Sequence, residues 1–518
     1  MIPIESYSLT EAREREWKLP KDSEADVRTS FAQQPAPAVD WCTAAPVTID
    51  MLPDVALLGI FEYYMLLEYW IEAWHTLVHV CRNWRIVVFG SSRRLDLRLF
   101  CLPDTPVREM LDVWPPLPII THGLDCEKWG VDNIIAALEH ADRICQLILF
   151  DFKLSISQWE KVLAAMLLPF PALTTLQLHL TMRETASIVP ASFLGGSAPR
   201  LQTLELHGFP FPGLPKLLLS ATHLVSLQLG IPPSGYISPK EMVTCLSVLT
   251  RLEILWIGIG FPRGHHDRIN RRHPPLSRTL LPILTKLRFQ GVSEYLEDFV
   301  AQIDAPLLDE LNITFSNQLI FDTPQITQLI NRTPKFKAHD KAKIDFSDWR
   351  VRVDILPRIF DRKLELGIRC RQSDWQLSSL AQVCSSSFPQ AFIPAVEHLY
   401  ITDEFPKPRW QEDMESNQFL ELFRPFTGVK YLYLSREFGL RIAPALQELV
   451  EEGVTEVLPA LQTIFFQEPL PSSGPIQEIL GQFVAARRVA CRPIAFSLWD
   501  RQHAIYPKDL SPQKLDSV

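Results

Sequence analysis

The side chains best suited to chemistry in this sequence are histidines, which stand close together in two places. His75 and His79 are four residues apart, and on a helix this spacing would present two imidazoles on one face to a metal ion. The glutamate that follows the first histidine of the helical zinc-protease motif is replaced by Thr76. We therefore interpret His75 and His79 as residues of helix surface and packing.

The second group of histidines lies between residues 263 and 273, mixed with four arginines and one aspartate. This much positive charge would repel a metal ion, because carboxylates do not dominate the stretch. Gly258, Gly260 and Gly264 follow a predicted strand, but their spacing does not fit a dinucleotide-binding turn. We interpret the whole stretch as a solvated loop.

Motifs of catalysis are missing from the sequence. It contains no Gly-x-Ser-x-Gly turn, no phosphate-binding loop, and no cysteine and histidine at a recognisable catalytic spacing. Its nine cysteines are scattered without a Cys-x-x-Cys pair, so a cysteine zinc site is unsupported. We expect no catalytic residue, no metal and no cofactor, and therefore no enzyme.

Composition restricts the partners and the compartment. The 51 Lys and Arg against 60 Asp and Glu give a net charge of -9, and no long basic run supplies a surface for phosphates, so nucleic acid is not an expected partner. The first twenty residues lack the apolar core of a secretory signal, and no run of 18 apolar residues could span a membrane. Scattered cysteines fit reduced thiols, so we expect a protein of the cytoplasm, the nucleus or both.

Two kinds of element must position whatever this chain binds. Residues 1–46 are charged and then rich in proline and alanine, which predicts a flexible leader. Residues 47–92 carry apolar side chains at helical spacing, with a first helix starting around Pro53 and Asp54 and a second running from about Trp74 to Val88. Such large apolar faces in so short a module need a partner.

A repeated pattern, apolar-x-x-apolar-x-apolar, begins near residue 144 and predicts an α/β fold with a leucine-rich-repeat-like solenoid over residues 93–500, followed by a tail at 501–518. Each unit is expected to contain a turn, a short strand and a helical or irregular return. Ten copies begin at Ile144, Leu173, Leu201, Leu224, Leu252, Leu284, Leu308, Val396, Val429 and Leu461. The 88-residue gap before Val396 could contain two degenerate repeats, around Ile344 and Leu364.

The helical module resembles an F-box. Residues 52–61 read Leu-Pro-Asp-Val-Ala-Leu-Leu-Gly-Ile-Phe, and residues 80–85 read Val-Cys-Arg-Asn-Trp-Arg. In F-box proteins such a module binds the adaptor subunit of a cullin-RING ubiquitin ligase, and a C-terminal domain selects the protein substrate. Val55 stands where an acidic residue is common, and Gly59 lies within the helix, two departures that bear on adaptor affinity.

The resemblance and the helical stripes together predict an adaptor-binding surface, which consists of Leu52, Pro53, Leu57, Ile60, Phe61, Val80 and Trp84. The chain would then be a substrate-recognition subunit of an SCF-type ligase, with its repeats binding an unidentified protein. The alternative is a recognition scaffold without a role in degradation, whose helical module caps the repeat array.

Strand alternation predicts where the repeats bind their target. In each copy the residue between the last two apolar positions points away from the core. Along the array these residues are Gln177, Glu205, Gln228, Trp256, Arg288, Asn312, Tyr400, Tyr433 and Phe465. We predict that Trp256, Tyr400, Tyr433 and Phe465 bind the substrate, the last three as one stacked row. The alternative is that a loop or the segment near Trp499 covers the row.

Overall fold

The computed structural model describes the chain in fifteen stretches. They are residues 49–67, 73–101, 106–123, 131–150, 155–180, 188–260, 277–316, 318, 321–337, 339–357, 363–370, 373–403, 416–452, 457–467 and 475–499. The predicted leader 1–46, the tail 501–518 and the histidine-rich stretch at 263–273 lie outside the described residues. The chain divides into two units, Met1–Leu57 and Leu58–Val518.

The described part of the first unit leads into a helix. A short 3₁₀ turn, Ile49–Met51, precedes helix α1 (Asp54–Leu67), which continues into the second unit. The carbonyl of Pro53 accepts hydrogen bonds from the amides of Ala56 (2.9 Å) and Leu57 (3.1 Å). Proline and aspartate both suit a first helical turn, so the predicted start of the helix is confirmed.

Helices α2 (Ala73–Val80) and α3 (Arg82–Gly90) follow in the second unit. Cys81 caps α3, because its sulfur accepts a hydrogen bond from the amide of Trp84 at 3.4 Å. Arg85 Nε donates to the carbonyl of Val78 at 3.0 Å, and the rings of Trp84 and Phe61 lie 4.7 Å apart. The residues of the Val-Cys-x-x-Trp-Arg segment thus join the three helices.

Strands occur throughout the rest of the second unit. They are β1 (Leu99–Cys101), β2 (Ile119–Gly123), β3 (Ile144–Phe150), β4 (Thr175–His179), β5 (Thr203–His207), β6 (Ser226–Ile231), β7 (Ile254–Ile259), β8 (Thr279–Leu280), β9 (Lys286–Gly291), β10 (Ile303–Asp304), β11 (Glu310–Ser316), β12 (His339–Phe346), β13 (Arg350–Pro357), β14 (Lys363–Arg369), β15 (His398–Asp403), β16 (Tyr431–Leu434), β17 (Thr463–Phe466) and β18 (Ala495–Leu498). Each of the ten repeat copies read from the sequence contains one of these strands.

Helices connect most of the strands. They are α4 (Val107–Val113), α5 (Val131–Leu138), α6 (Ile156–Ala165), α7 (Leu214–Ser220), α8 (Pro239–Leu246), α9 (Ser293–Val300), α10 (Pro324–Arg332), α11 (Ser373–Ser386), α12 (Ser416–Phe423), α13 (Arg436–Glu452) and α14 (Pro475–Val489). Alternation of parallel strands with such returns is the arrangement of a leucine-rich-repeat-like solenoid.

Among the described residues, sixteen strands form one sheet in the order β1-β2-β3-β4-β5-β6-β7-β9-β11-β14-β13-β12-β15-β16-β17-β18. The centre departs from simple repetition. The chain passes from β12, beside β15, through the antiparallel β13 to β14, beside β11. The stretches around Ile344 and Leu364 are therefore strands, as expected. They are the outer strands of a three-stranded antiparallel meander, and β13 connects them in place of a helix.

Alternation along each strand separates two faces of the sheet. Leu176 and Leu178 of β4, like their equivalents in neighbouring strands, are buried on the helix side. Ring contacts such as Phe289 with Tyr295 of α9, and Phe346 with Phe438 of α13, fill this side. The intervening residues point to the opposite face, called the open face below, as strand geometry requires.

Candidate binding face of the sheet

The residues predicted to bind an adaptor differ in exposure. In the first unit Pro53 is exposed, Leu52 is half-buried and Leu57 is buried. In the second unit, Ile60 is 45% exposed and Val80 is 54% exposed. Trp84 is half-buried, whereas Phe61 is fully buried against its ring.

Leu57 and Phe61 are therefore core residues in this structure, which corrects their expected place on the surface. The spacing of apolar residues in the sequence could not separate these two buried residues from exposed ones, because apolar residues on the inner and outer sides of a helix recur at the same interval. Further exposed apolar side chains belong to α1 and α3 in the second unit: Tyr63, Leu66, Leu67 and Ile86. Large exposed apolar side chains on neighbouring helices are a feature of interaction surfaces.

His75 and His79 pack against one indole. The ring of His75 stacks on Trp114 at 5.0 Å, and that of His79 meets it edge-on at 6.0 Å. Trp114 also lies 5.1 Å from Trp74, whose Nε1 donates to the carbonyl of Arg98 at 3.1 Å. The packing role expected for the two histidines is what the structure has.

Three aromatic residues form a continuous stack on the open face. Tyr400, Tyr433 and Phe465 are direct neighbours in the register of β15, β16 and β17. Tyr400 and Tyr433 lie 4.2 Å apart at 12°, and Tyr433 and Phe465 lie 4.5 Å apart at 8°. The predicted row is therefore present, and we call these three residues the aromatic ladder.

Trp499 lies across the aromatic ladder. Its ring meets Tyr433 edge-on at 5.6 Å and Tyr400 at 6.0 Å, and its Nε1 donates to the carbonyl of Leu434 at 3.1 Å. Tyr400 retains only 8% exposure, whereas Tyr433, Phe465 and Trp499 are half-buried. The covering by the segment near Trp499, considered as an alternative above, is thus real for Tyr400, while an aromatic surface remains accessible.

Polar groups at the edge of the aromatic ladder are desolvated. His398 stacks on Tyr431 at 4.7 Å, and its Nδ1 lies 3.3 Å from the hydroxyl of Tyr433. Burial raises the pKa of Tyr433 and lowers that of His398, where nearby Lys341 acts in the same direction. Both shifts favour the neutral forms of these two side chains.

Trp256 is not part of the aromatic ladder. Five strands separate β7 from β15, which places Trp256 roughly 29 Å from Tyr400 at the usual strand spacing of about 4.8 Å. Its ring instead lies 4.8 Å from that of His207. The sequence placed Trp256 and the aromatic ladder on the same face but could not show how far apart they lie. The four predicted substrate-binding residues therefore belong to two separate sites on this face.

A second site lies around His207. Its Nε2 is 3.2 Å from Oε1 of Glu205, and Nε2 of His179 is 3.0 Å from the same oxygen. The two imidazoles stack at 4.2 Å, and Phe150 lies 4.4 Å from His179 on the other side. We call His179, Glu205 and His207 the His-Glu-His cluster.

Electrostatics in the His-Glu-His cluster favour an ionised carboxylate. Burial by itself would raise the pKa of Glu205, but its close contacts with His179 and His207 outweigh burial and lower the pKa to about 2. Burial also lowers the pKa of His179, against the opposing influence of Glu205. A neutral imidazole beside a carboxylate is therefore the expected state at neutral pH.

Charged residues occupy the centre of the open face, on the meander. Asp345 is buried, with Lys343 Nζ at 2.7 Å and Arg352 at 3.2 Å, and Thr402 donates a hydrogen bond to it. Burial acts to raise the pKa of Asp345, but Lys343 and these other partners lower it overall. Burial, and next the nearby Glu365, raise the pKa of Asp354 to about 7. The network is intramolecular and separates the His-Glu-His cluster from the aromatic ladder.

Sequence reasoning missed His179 and His207, although a signal for them exists. In each copy the residue that directly follows the last apolar position also points outward. In the first five copies these residues are Phe150, His179, His207, Gly230 and Gly258. The two glycines make room for rings: a Cβ at residue 230 would lie 2.7 Å from His207 Nδ1, and one at 258 would lie 2.7 Å from the Trp256 ring. Reading that position would have aligned the two histidines.

Comparisons with known proteins do not assign the chain to a family. No protein-family model matches the chain, and no curated protein matches it. Among solved structures, the leucine-rich repeat-containing protein LegL7 from Legionella pneumophila is 11% identical and covers 74% of this chain and 97% of its own, with a TM-score of 0.25. With so low a score the description of this fold rests on its own strand order.

Within the described stretches, no helix is both long and apolar enough to cross a membrane.

Proposed function

We propose that this chain is the substrate-recognition subunit of an SCF-type cullin-RING ubiquitin ligase, and that it performs no chemistry itself. The observation that carries the proposal is the exposed apolar surface of the N-terminal helices in the second unit. Ile60, Leu66 and Val80 expose between 45% and 76% of their surface there, and Ile60 and Val80 belong to the segments that resemble an F-box.

Contacts within and beside the same helices support a rigid docking element. Phe61 and Trp84 pack together, Cys81 caps α3, and Arg94 forms a bidentate ion pair with Glu62. Burying the exposed apolar side chains against an adaptor would supply the free energy of association, since a few central apolar anchors dominate most interfaces. The intracellular compartment expected from the reduced cysteines agrees with this role.

Target binding is assigned to the open face. The accessible parts of Tyr433, Phe465 and Trp499 form an aromatic surface at one end of it, and aromatic side chains bury much area at little cost in conformational entropy. Such an aromatic surface favours an apolar segment of a partner protein at this position.

The test of adaptor binding is co-purification from cells that express the full chain with the adaptor and the cullin. Ile60→Asp with Val80→Asp places two charges in the proposed interface and should weaken adaptor binding by about 30-fold to 1,000-fold, since each anchor contributes about 1–2 kcal/mol or more. Val489→Asp is the matched control, because Val489 is 86% exposed on α14. Adaptor binding by the double variant equal to that of the control would refute the assignment.

A recognition scaffold without a role in degradation is the second candidate. It is favoured by one observation: Trp74 of α2 donates to the carbonyl of Arg98, immediately before β1, and packs on Trp114 after α4. Contacts of this kind are those of a cap on a repeat array. In this case the wild-type chain would bind its target but would retain neither adaptor nor cullin in the same purification.

A further inference from the structure

We propose that His179, Glu205 and His207 bind one divalent transition-metal ion of the zinc type on the open face. This site is independent of the proposed ligase role. The three donor atoms lie within 4.8 Å of one another, and the two imidazole nitrogens converge on one carboxylate oxygen. Two histidines and one carboxylate are a ligand set that suits zinc.

The separation of the donor atoms fits a small ion. In a tetrahedral zinc site with bonds of about 2.0–2.1 Å, neighbouring ligand atoms are about 3.3 Å apart. Here Glu205 Oε1 lies 3.0 Å from one imidazole nitrogen and 3.2 Å from the other. Entry of the ion therefore needs an expansion of a few tenths of an ångström, together with rotation of the stacked rings so that both nitrogens face it.

The backbone holds the ligands on rigid elements. His179 and His207 are paired in the register of β4 and β5, and Glu205 stands two residues before His207 on the same face. All three side chains are only 15–23% exposed. Sites built on strands keep their geometry better than sites on loops, so little ordering is required when the metal binds.

The side chains that adjoin the cluster on the neighbouring strands do not repel a cation. The neighbours of Glu205 in the adjacent strands are Gln177 and Gln228, which are neutral. Phe150 and Trp256 flank the histidine rings with apolar surface. In this respect the cluster differs from the sequence at 263–273, whose excess of positive charge makes it unsuitable as a metal site. Three protein ligands leave a coordination position for water or for an atom of a bound partner.

The experiment is a calorimetric titration of the full chain, stripped of metal by chelation, with Zn²⁺ alone. One equivalent should bind to the wild type, and Glu205→Gln, His179→Gln and His207→Gln should each lower the affinity about 100-fold or more, since even loss of a group supporting the ligands costs 10–100-fold. His223→Gln is the matched control, because His223 is exposed outside the cluster. Glu205→Gln preserves shape, and melting curves without metal verify folding.

A second titration with Co²⁺ separates this cluster from the cysteines. Binding by nitrogen and oxygen should give weak visible bands without the intense near-ultraviolet absorption of a cobalt-thiolate bond. The proposal is overturned by three results: no Zn²⁺ uptake by the wild type, uptake that the folded cluster variants retain in full, or a thiolate spectrum.

Discussion

Replacing Trp499 with alanine should loosen the C-terminal strands by an amount that the contacts of the indole determine. The variant loses one hydrogen bond, to the carbonyl of Leu434, and two edge-on ring contacts, to Tyr400 and Tyr433. A hydrogen bond contributes about 0.5–1.5 kcal/mol net, and an aromatic pair about 0.5–1.5 kcal/mol. Because Trp499 is only half-buried, we expect a loss of about 2 kcal/mol in the free energy of local opening.

Hydrogen exchange followed by mass spectrometry measures this opening directly, without assuming that a long repeat array unfolds in one step. A loss of about 2 kcal/mol corresponds to exchange about 30-fold faster. The affected amides are those of β17 and β18, whereas the amides of β4 and β5 should exchange as in the wild type. Unchanged exchange in β17 and β18 would show that Trp499 does not rest on the aromatic ladder.

A double-mutant cycle assigns the effect to ring contact. Tyr433→Leu and Trp499→Ala should couple by about 0.5–1.5 kcal/mol, because the second substitution costs less once its ring partner is gone. Tyr431→Leu is the matched control, since its ring lies against His398 and Phe465. Additive behaviour of the Tyr433 pair would contradict the geometry.

Three further predictions concern stability. Gly59→Ala should raise the free energy of unfolding by about 1 kcal/mol, because Gly59 lies inside α1 with open space where the new methyl group would lie. Gly208→Ala should lower it by about 2–4 kcal/mol, because φ is +81° and the new Cβ would overlap the carbonyl of Leu180. In thermal melts the first variant should therefore unfold at a higher temperature than the wild type and the second at a lower one. Asp354→Asn should stabilise the protein more at pH 8 than at pH 4. The folded pKa of Asp354 is raised to about 7 by burial, so the unfolded chain ionises first and stability falls as pH rises from about 4 to 7. Urea unfolding at both pH values measures the gain, and an equal gain at both would contradict the raised pKa.

Much of the sheet was predictable because its information is local. Burial of every second side chain imposes a period of two, and a shift by one residue would turn a whole strand inside out. For that reason Tyr400, Tyr433 and Phe465 could be placed side by side from sequence positions alone, and their register agrees. The start of α1 directly after Pro53 could equally be predicted, since proline and aspartate act within a single helical turn.

The remaining features depend on contacts between residues far apart in the chain. The order of β12, β13 and β14 follows from which neighbours complete the hydrogen bonds of the sheet, and each of these strands alone would fit several positions. Tertiary packing likewise determines that Phe61 is buried beside Trp84 and that Trp499 lies across the aromatic ladder. Sequence alone determined the strands and the face to which each side chain points, because alternation is a property of one strand. Only tertiary structure decided that Glu205 meets both His179 and His207, because ring orientation and distance depend on neighbouring strands.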